Sequence, residues 1–339
     1  MPTASFPQWY SVQTLAALSL PLAAIAAVAL DRLLGEPRRW HPLHGFGALA
    51  NAVERAFNVA AGSRAASRQM LDRPQTQHIG RVAGRLRGLL AWSLLVLSPT
   101  ALAWWLSPAG LPGWAMDVVV LYLALGARSL DEHASRVASD LASADLPAAR
   151  RHVGWMVSRQ TAHLDAAGVA AACVESTLEN GNDAVFGALF WFALLGGPGA
   201  LLFRLANTLD AMWGYRNPRF VDFGWTAARA DDLLNFLPAR LTAFSYALCG
   251  RTRSAWRCWR GQAPAWKSAN AGAVMAAGAG SLGIALGGAA VYHGRREQRP
   301  ELGEGRPATG DDIALALTLL RRCLLLWLAI MLCWGLARA

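Results

Sequence analysis

The stretch that decides the fold is "AVFGALFWFALLGGPGALLF" at residues 184–203. It carries no charge over a length that would cross a bilayer, but "GGPG" at 196–199 interrupts it in the middle. Glycine and proline disfavour a continuous helix, and each remaining arm of about ten residues is too short to cross alone. We therefore predict a re-entrant helical hairpin, which is tolerated at membrane depth only when it packs against protein.

The composition of the 339-residue chain indicates a membrane protein. Hydrophobic residues make up 54% and charged residues 16% of the chain, whereas soluble domains carry about 25% charged residues. The net charge is +10, and Lys267 is the only lysine among the basic residues. The arginines cluster beside apolar runs, as the positive-inside rule expects, so we predict no nucleic-acid partner. The five cysteines show neither zinc spacing nor a disulfide framework.

Other apolar runs predict about four or five transmembrane helices. The candidates are residues 11–30, 88–107, 110–127, 271–291 and 323–337, whereas 294–312 is interpreted as a polar loop. The loop 31–87 holds ten arginines and four acids, and 204–267 holds ten basic residues and four acids. The positive-inside rule places both in the cytoplasm, together with 128–183, so the N-terminus is predicted to lie outside.

These features define the predicted fold class. We expect an all-α, polytopic membrane protein with one re-entrant hairpin and large cytoplasmic helical segments. Residues 1–339 are predicted to form a single domain. The predicted location is the cell inner membrane, with the active site facing the cytoplasm.

The stretch "CVESTLENGNDAVF" at 173–186 carries the first candidate site. Glu175, Glu179 and Asp183 recur at four-residue intervals, which places them near one face of a helix. The Asn-Gly-Asn tripeptide at 180–182 favours a turn, so the helix is expected to end there and Asp183 to cap the next one. Carboxylates this close repel unless a cation neutralises them, and Mg²⁺ prefers oxygen ligands. The alternative is a solvated helix end with a cap.

A second candidate site lies in "FRLANTLDAMWGYRNPRFVDFGWTAARADDLLNFLPARL" at 203–241. Its acids and amides are Asn207, Asp210, Asp222, Asp231, Asp232 and Asn235, and its arginines are Arg204, Arg216, Arg219, Arg229 and Arg240. Carboxylates and an amide at this spacing can bind a cation, and guanidinium groups bind phosphate through paired hydrogen bonds. The pattern favours a metal–phosphate site. A network of ion pairs that supports the fold is the alternative, and it is expected to account for some of these residues.

Four separated motifs resemble the membrane-bound cobinamide-phosphate synthase family of cobalamin biosynthesis. They are "ESTLENGND", "NTLDAMWGYRN", "AARADDLLNFLPARL" and "NAGAVMAAGAGSLGIALGG", and "DRLLGEPRRWHP" at 31–42 resembles the family's opening pattern. The similarity covers roughly residues 20–310. Gly181 stands where Thr or Ser is usual, Ala188 and Ala269 stand where Pro is common, and Glu36 stands where Asp is common. None of these departures removes a carboxylate or an arginine.

The resemblance implies the synthesis of an amide bond. The free propionate of adenosylcobyric acid, a corrinoid, would be joined to (R)-1-aminopropan-2-ol or its O-phosphate. A carboxylate does not condense with an amine unaided in water, so we expect activation by ATP, as an acyl phosphate or an adenylate, with Mg²⁺ as cofactor. The expected partners are these small molecules and the lipid bilayer, and homo-oligomerisation is left open.

This hypothesis assigns roles to individual residues of the two candidate sites. The catalytic residues are expected to be Glu175, Glu179, Asp183, Asp231 and Asp232. The last four of these are also the predicted metal ligands. The predicted substrate-binding residues are Asn180, Arg204, Asn207, Asp210, Arg216, Arg229, Asn235 and Arg240.

A membrane corrinoid transporter, or a non-catalytic sensor of the same fold, is the alternative function. A transporter needs polar motifs that face a cavity near the bilayer midplane. The polar motifs here lie outside the long apolar runs, which favours an enzyme. A sensor relative would be expected to lose the acidic cluster, and this chain keeps it.

Overall fold

The computed structural model describes residues 12–37, 41–58, 74–292 and 294–339. The α-helices in this part of the chain are α1 (Val12–Leu34), α2 (Pro42–Phe57), α3 (Pro74–Trp92), α4 (Ser98–Leu106), α5 (Leu111–Ala124), α6 (Ala127–Ala142), α7 (Leu146–Val153), α8 (Ala166–Gly181), α9 (Gly187–Trp213), α10 (Trp225–Leu234), α11 (Phe236–Cys249), α12 (Thr252–Gln262), α13 (Ala269–Leu282) and α14 (Gly310–Arg338). Two π-helical segments, Ser93–Leu97 and Asn182–Phe186, join neighbouring helices, and a 3₁₀ turn spans Ala263–Ala265. A small sheet contains β1 (Ile284–Tyr292), β2 (Arg295–Gly303) and β3 (Arg306–Pro307), in the order β2-β1-β3.

Five helical segments of the described chain are long and apolar enough to cross a membrane. They are Ala17–Leu34, Gly80–Leu106, Leu111–Ala142, Ala166–Trp213 and Gly310–Arg338. The chain is therefore an all-α polytopic membrane protein with one small sheet. The spans predicted at 11–30, 88–107 and 110–127 overlap three of these segments, and 323–337 lies within a fourth. Residue 11 and the N-terminus lie outside the described residues.

The backbone leaves the helical conformation at Gly196, within the apolar stretch 184–203. Gly196 has φ +64° and ψ −153°, a conformation that glycine adopts far more readily than other residues. A Cβ atom at Gly199 would lie 2.2 Å from the carbonyl oxygen of Trp191, whereas residues eight apart in a straight helix are about 12 Å apart along the axis. The chain thus doubles back at the predicted break. Asp117 accepts a hydrogen bond of 2.7 Å from the Gly197 N–H at this reversal.

The predicted span at 271–291 is wrong, and so is the polar loop at 294–312. Helix α13 ends at Leu282 because Gly283 adopts the left-handed conformation (φ +69°, ψ +40°) that closes a helix. The chain continues as β1, which pairs in an antiparallel manner with β2 across a bulge at Gly287 and Gly288. Both bulge glycines have positive φ. The polar residues that follow therefore form a strand rather than a loop.

The chain divides into two compact units, and the first holds the described part of Met1–Gly35 with Leu125–Gly187 and Phe236–Ala339. In this unit α14 packs against α1, α6 and α8, and α13 packs against α11 and α12. The fully buried side chains of this unit include Leu178, Phe186 and Tyr246. Tyr246 also donates a hydrogen bond of 2.9 Å to the carbonyl oxygen of Leu178, which ties α11 to α8.

The chain makes no turn at the Asn-Gly-Asn tripeptide, because the helical path of α8 continues beyond it, so the predicted turn and the predicted cap at Asp183 are wrong. Gly181 keeps helical dihedral angles (φ −55°, ψ −42°), and the helix passes directly into the π-helical segment. Asn182 is buried, and its side-chain oxygen accepts a hydrogen bond of 2.9 Å from Thr242. Contacts with α11 thus satisfy the polar residue that was expected to form a turn.

The second unit holds the described part of Glu36–Ala124 together with Ala188–Asn235. Its core joins α2, α3 and the Ser93–Leu97 π-helical segment to α9 and α10, and its fully buried members include Leu209 and Trp213. Helix α2 begins after His41, whose Nδ1 accepts a hydrogen bond of 3.2 Å from the Leu43 N–H. This unit carries most of the second candidate stretch.

Candidate functional site

The first unit contains a polar pocket, which we call the arginine pocket, with a volume of about 260 Å³. Its polar lining comprises Ser158, Arg159, Glu175, Ser176, Glu179, Asn180 and Arg299, and Trp266 also lines it. Helix α8 supplies four of these residues, because positions three and four apart lie on one side of a helix. The pocket therefore contains two of the predicted carboxylates and the predicted Asn180.

Glu175 is held by two arginines at the pocket wall. Its carboxylate lies 2.9 Å from Arg159 and accepts hydrogen bonds of 2.9 and 3.1 Å from Arg299. The Gly287 N–H in the β1 bulge donates a further hydrogen bond of 2.8 Å. The side chains of Glu175, Arg159 and Arg299 are only 6%, 6% and 10% exposed, so the ion pairs are largely shielded from water.

Glu179 and Asn180 lie one turn further along α8, where both are partly exposed. The Asn180 amide donates hydrogen bonds of 2.9 and 3.0 Å to the carbonyl and hydroxyl oxygens of Ser176. Asp183 accepts a hydrogen bond of 2.9 Å from Asn182 in the π-helical segment. Single-turn π-helical insertions are frequent at functional sites, and this one directly follows the pocket residues of α8.

The second unit contains an aspartate cluster, which we define as Asp210, Asp231 and Asp232. The Asp231 carboxylate accepts one hydrogen bond of 3.1 Å from Asn207 and two of 3.2 and 3.1 Å from Asn235. Asp210 lies within electrostatic range of both other members. The structure therefore brings together five residues that the sequence assigned to one site.

The environment of Asp231 disfavours its charged form. Burial raises the pKa of Asp231, and the negative charge of Asp232 acts in the same direction, whereas the amides of Asn207 and Asn235 oppose it. A carboxylate that is held by hydrogen bonds but disfavoured as an anion gains stability from a nearby cation. This is the environment that a cation-binding carboxylate requires.

The aspartate cluster fits Mg²⁺ as a partial set of ligands. Among the residues that the structure describes, no group of three or more His, Cys, Asp or Glu side chains is placed to bind one ion. Mg²⁺ is usually held by one or two protein carboxylates together with water and substrate phosphate. Asp231 with one neighbouring aspartate can supply that share. Glu179 and Asp183, the other predicted metal ligands, belong to the first unit.

The predicted phosphate-binding arginines occupy different surroundings. Arg204 lines an apolar cavity of about 330 Å³ in the second unit, together with His41. Arg229 pairs with Asp232 at 3.6 Å, and Arg216 is exposed in the segment after α9. Arg240 belongs to the first unit, where it donates a hydrogen bond to Asn270 and one of 2.9 Å to the Phe236 carbonyl oxygen. The structure does not gather these four arginines into one cluster.

Some charged residues of the second stretch support the fold, as the alternative interpretation expected. Arg219 donates hydrogen bonds of 3.0 and 2.6 Å to the buried Glu54 of α2. Asn58 donates to the same carboxylate at 2.8 Å and to the Arg219 carbonyl oxygen at 3.0 Å. These contacts fix the segment between α9 and α10 on α2, in the unit that holds the aspartate cluster.

The sequence motifs did not identify three residues that line the arginine pocket, namely Arg159, Trp266 and Arg299. Arg159 follows α7 in an irregular segment, and Arg299 lies in the strand that was interpreted as a loop. Neither has a motif of its own. The one usable signal is Glu175, because a carboxylate among apolar residues of a helix needs a cationic partner when it is buried.

Comparison with known proteins gives consistent matches over most of the chain. The profile of the family described as "CobD/Cbib protein" matches residues 24–320. The chain is 55% identical to a protein named "Cobalamin biosynthesis protein CobD" from Chromobacterium violaceum, over 93% of this chain and 95% of that protein. Proteins of the same name from Stutzerimonas stutzeri and Mycobacterium tuberculosis are 55% and 37% identical, over 94% and 86% of this chain and 99% and 88% of theirs. No solved structure matches the chain.

Proposed function

The chain belongs to the CobD/CbiB family of cobalamin biosynthesis proteins, and from this premise we propose that it is an adenosylcobinamide-phosphate synthase. The enzyme joins the free propionate of adenosylcobyric acid to (R)-1-aminopropan-2-ol O-phosphate, or to the free amino-alcohol. It is an ATP-dependent amide ligase of the cell inner membrane, with its active site facing the cytoplasm. Its substrates are small molecules that reach it from the cytosol.

The observation that carries the proposal is the aspartate cluster. Asp231 is oriented by Asn207 and Asn235, and its charged form is disfavoured by burial. Such a carboxylate suits a divalent cation that arrives with a nucleotide. In the proposed enzyme Asp231 and one neighbouring aspartate of the cluster would hold Mg²⁺ together with water and substrate phosphate. When bound, Mg²⁺ would draw the phosphate oxygens of ATP to these carboxylates and offset their negative charge.

The proposed reaction has two steps, activation of the carboxylate and formation of the amide. First, a propionate oxygen of the corrinoid attacks a phosphorus atom of ATP, and either ADP or pyrophosphate leaves. Second, the amine nitrogen attacks the activated acyl carbon, the nitrogen loses a proton, and phosphate or AMP leaves with the propionate oxygen. A carboxylate beside the amine serves as the proton acceptor of the second step, and Glu179 in the arginine pocket is the candidate for that role.

The experiment that tests the proposal uses full-length protein purified in detergent. Adenosylcobyric acid, aminopropanol phosphate, Mg²⁺ and ATP are supplied, and the corrinoid mass is followed with and without ATP. The expected product is heavier by one aminopropanol phosphate less one water, and Asp231→Asn and Glu179→Gln are expected to abolish or strongly reduce its formation. Arg257→Gln is the control, because Arg257 pairs with Glu304 on the surface. Bound corrinoid that leaves unchanged would favour the transporter or sensor instead.

A further inference from the structure

The carboxylate of Glu175 in the arginine pocket has its acceptor positions occupied. Two contacts come from Arg299, one from Arg159 and one from the Gly287 N–H, all between 2.8 and 3.1 Å. A carboxylate offers about four acceptor positions. Glu175 therefore acts by holding the two arginines in place, and it has no further acceptor position to offer a metal or an amine.

The two arginines supply the positive charge of the pocket. Arg159 and Arg299 both line the cavity and pair with Glu175, and Glu179 is the second carboxylate of the same lining. The Arg299 guanidinium also lies 5.4 Å from the Trp266 ring centroid and donates to the Gly288 carbonyl oxygen at 3.1 Å. Both features fix its plane. A fixed guanidinium pair in a shielded site favours an anion with several oxygens, such as phosphate.

The same cavity also offers a negative group. Glu179 follows Glu175 by one helical turn and lines the same pocket. The Asn180 side-chain amide nitrogen donates to Ser176, and its side-chain carbonyl oxygen can accept a hydrogen bond from a ligand. The pocket thus presents cationic donors and anionic acceptors to one small volume. This combination suits a zwitterion that carries a phosphate and an ammonium group.

The size of the cavity agrees with a ligand of this kind. Its volume of about 260 Å³ leaves room for a small molecule. Aminopropanol phosphate has nine non-hydrogen atoms, whereas a nucleotide or a corrinoid is several times larger. Met156 and Met275 complete the lining with apolar surface that a methyl group can contact.

We propose that the arginine pocket is the subsite for the amino-alcohol phosphate, in which Arg159 and Arg299 bind the phosphate and Glu179 binds the ammonium group. Glu175 is a positioning residue that holds both arginines. The inference rests on the proposed function for the identity of the ligand. It adds Arg159 and Arg299 to the site and makes the phosphorylated amino-alcohol the preferred substrate.

The test measures binding of three ligands to the full-length protein in detergent, without corrinoid or ATP. The ligands are aminopropanol phosphate, propyl phosphate without the amine, and aminopropanol without the phosphate. The wild-type protein is expected to bind aminopropanol phosphate at least about tenfold more tightly than either fragment, because each charged group adds one favourable contact. Equal affinities for the three ligands would overturn the proposal.

Two variants separate the two ends of the ligand. Arg299→Gln is expected to weaken the binding of aminopropanol phosphate and propyl phosphate by about ten- to hundredfold and to leave the affinity for aminopropanol unchanged. Glu179→Gln is expected to weaken the binding of aminopropanol phosphate and aminopropanol and to leave the affinity for propyl phosphate unchanged. Arg299→Lys, which keeps the charge, is expected to bind phosphate better than Arg299→Gln does. If neither Gln variant changes any affinity, the subsite assignment is wrong.

The matched control is Arg257→Gln, which removes an arginine from the same unit outside the pocket and is expected to change none of the three affinities. Failure of the subsite can be told apart from failure of the function. If the wild-type protein makes product and both pocket variants keep the wild-type KM for aminopropanol phosphate, the subsite assignment is refuted and the proposed function stands. Selective binding of aminopropanol phosphate, with the variant pattern above but without any product, refutes the synthase and keeps the pocket.

Discussion

Glu54 and Arg219, which lie 165 residues apart in the sequence, form a bidentate ion pair in the unit that holds the aspartate cluster. Arg219 donates from Nε at 3.0 Å and from Nη2 at 2.6 Å. Glu54 is 1% exposed, whereas the Arg219 side chain is 53% exposed. The pair therefore links a buried carboxylate on α2 to the surface segment between α9 and α10.

Removal of Arg219 is expected to destabilise the protein. Arg219→Ala removes two hydrogen bonds from the buried Glu54 carboxylate and leaves the one from Asn58, and the expected loss is about 1–3 kcal/mol. The value lies below that of a fully buried ion pair because water reaches half of the Arg219 side chain. Thermal unfolding in detergent measures it. Arg257→Ala, at an exposed ion pair, is the matched control and should change the melting temperature little.

The same pair predicts a pH dependence. The hydrogen bonds from Arg219, followed by those from Asn58, lower the pKa of Glu54 despite its burial. Because the unfolded chain then binds more protons, this stabilisation is fully present above the unfolded pKa of about 4.3 and is lost as the pH falls through the folded pKa. The difference in melting temperature between wild type and Glu54→Gln should shrink as the pH is lowered from 6 to 3. A constant difference would contradict the role of the charged carboxylate.

Asp231 is expected to reduce stability while it serves function. Its folded pKa is raised, chiefly by burial, so the carboxylate destabilises the folded state most above the folded pKa. The penalty declines as the pH falls from the folded pKa and is gone below the unfolded pKa of about 3.9. Asp231→Asn should raise the melting temperature at pH 7, by ~2–4 °C for each kcal/mol gained, and it should abolish activity. At low pH the two proteins should melt alike.

The Mg²⁺ dependence of the same two proteins tests the metal assignment. Bound Mg²⁺ stabilises the folded state by mass action, by ~2.7 kcal/mol at a hundredfold excess over Kd. Wild type should melt at a higher temperature as Mg²⁺ is added, and Asp231→Asn should not respond. An equal response of both proteins would place the ion elsewhere.

Gly181 is expected to tolerate no side chain. A Cβ atom there would lie 2.6 Å from the Tyr246 hydroxyl oxygen and 2.9 Å from a Leu320 methyl carbon. Gly181→Thr, which installs a residue usual in the resembled family, should destabilise by about 1–3 kcal/mol through overpacking. In the double variant, Tyr246→Phe removes the closest atom, so the total loss should be smaller than the sum of the two single losses. Gly261→Ala, which meets no atom within 4 Å, is the control and should not destabilise.

The reversal at Gly196 could be predicted because its cause is local. Two glycines, a proline and a further glycine at 196–199 supply the positive φ and the close approach to Trp191 that the turn requires. The side of the membrane to which each arm belongs depends on charge counts and stays a prediction.

The span predicted at 271–291 failed because its composition does not distinguish two structures. A run of Gly, Ala and aliphatic residues suits a buried helix and a buried strand equally well. Gly283 ends α13, and the partner strand β2 is polar, so no alternating pattern in the sequence predicts the hairpin. The pairing of β1 with β2 in the structure identifies β1 as a strand.

The candidate site was predicted in part for a similar reason. The local motifs identified Glu175, Glu179 and Asp231 because each lies in a polar cluster within an apolar chain. The partners of Glu175 are 16 and 124 residues away, in an irregular segment and in an unrecognised strand. Such pairings depend on tertiary structure, which no spacing rule in the sequence encodes.

The measurement that tests the central claim most directly follows an oxygen atom of the propionate. Adenosylcobyric acid that carries ¹⁸O in its free carboxylate is incubated with the purified protein, aminopropanol phosphate, Mg²⁺ and ATP. ATP-dependent amide synthesis predicts one ¹⁸O atom in phosphate or in AMP for each amide formed. An unchanged corrinoid, or an amide formed without ¹⁸O in either phosphate product, would contradict it.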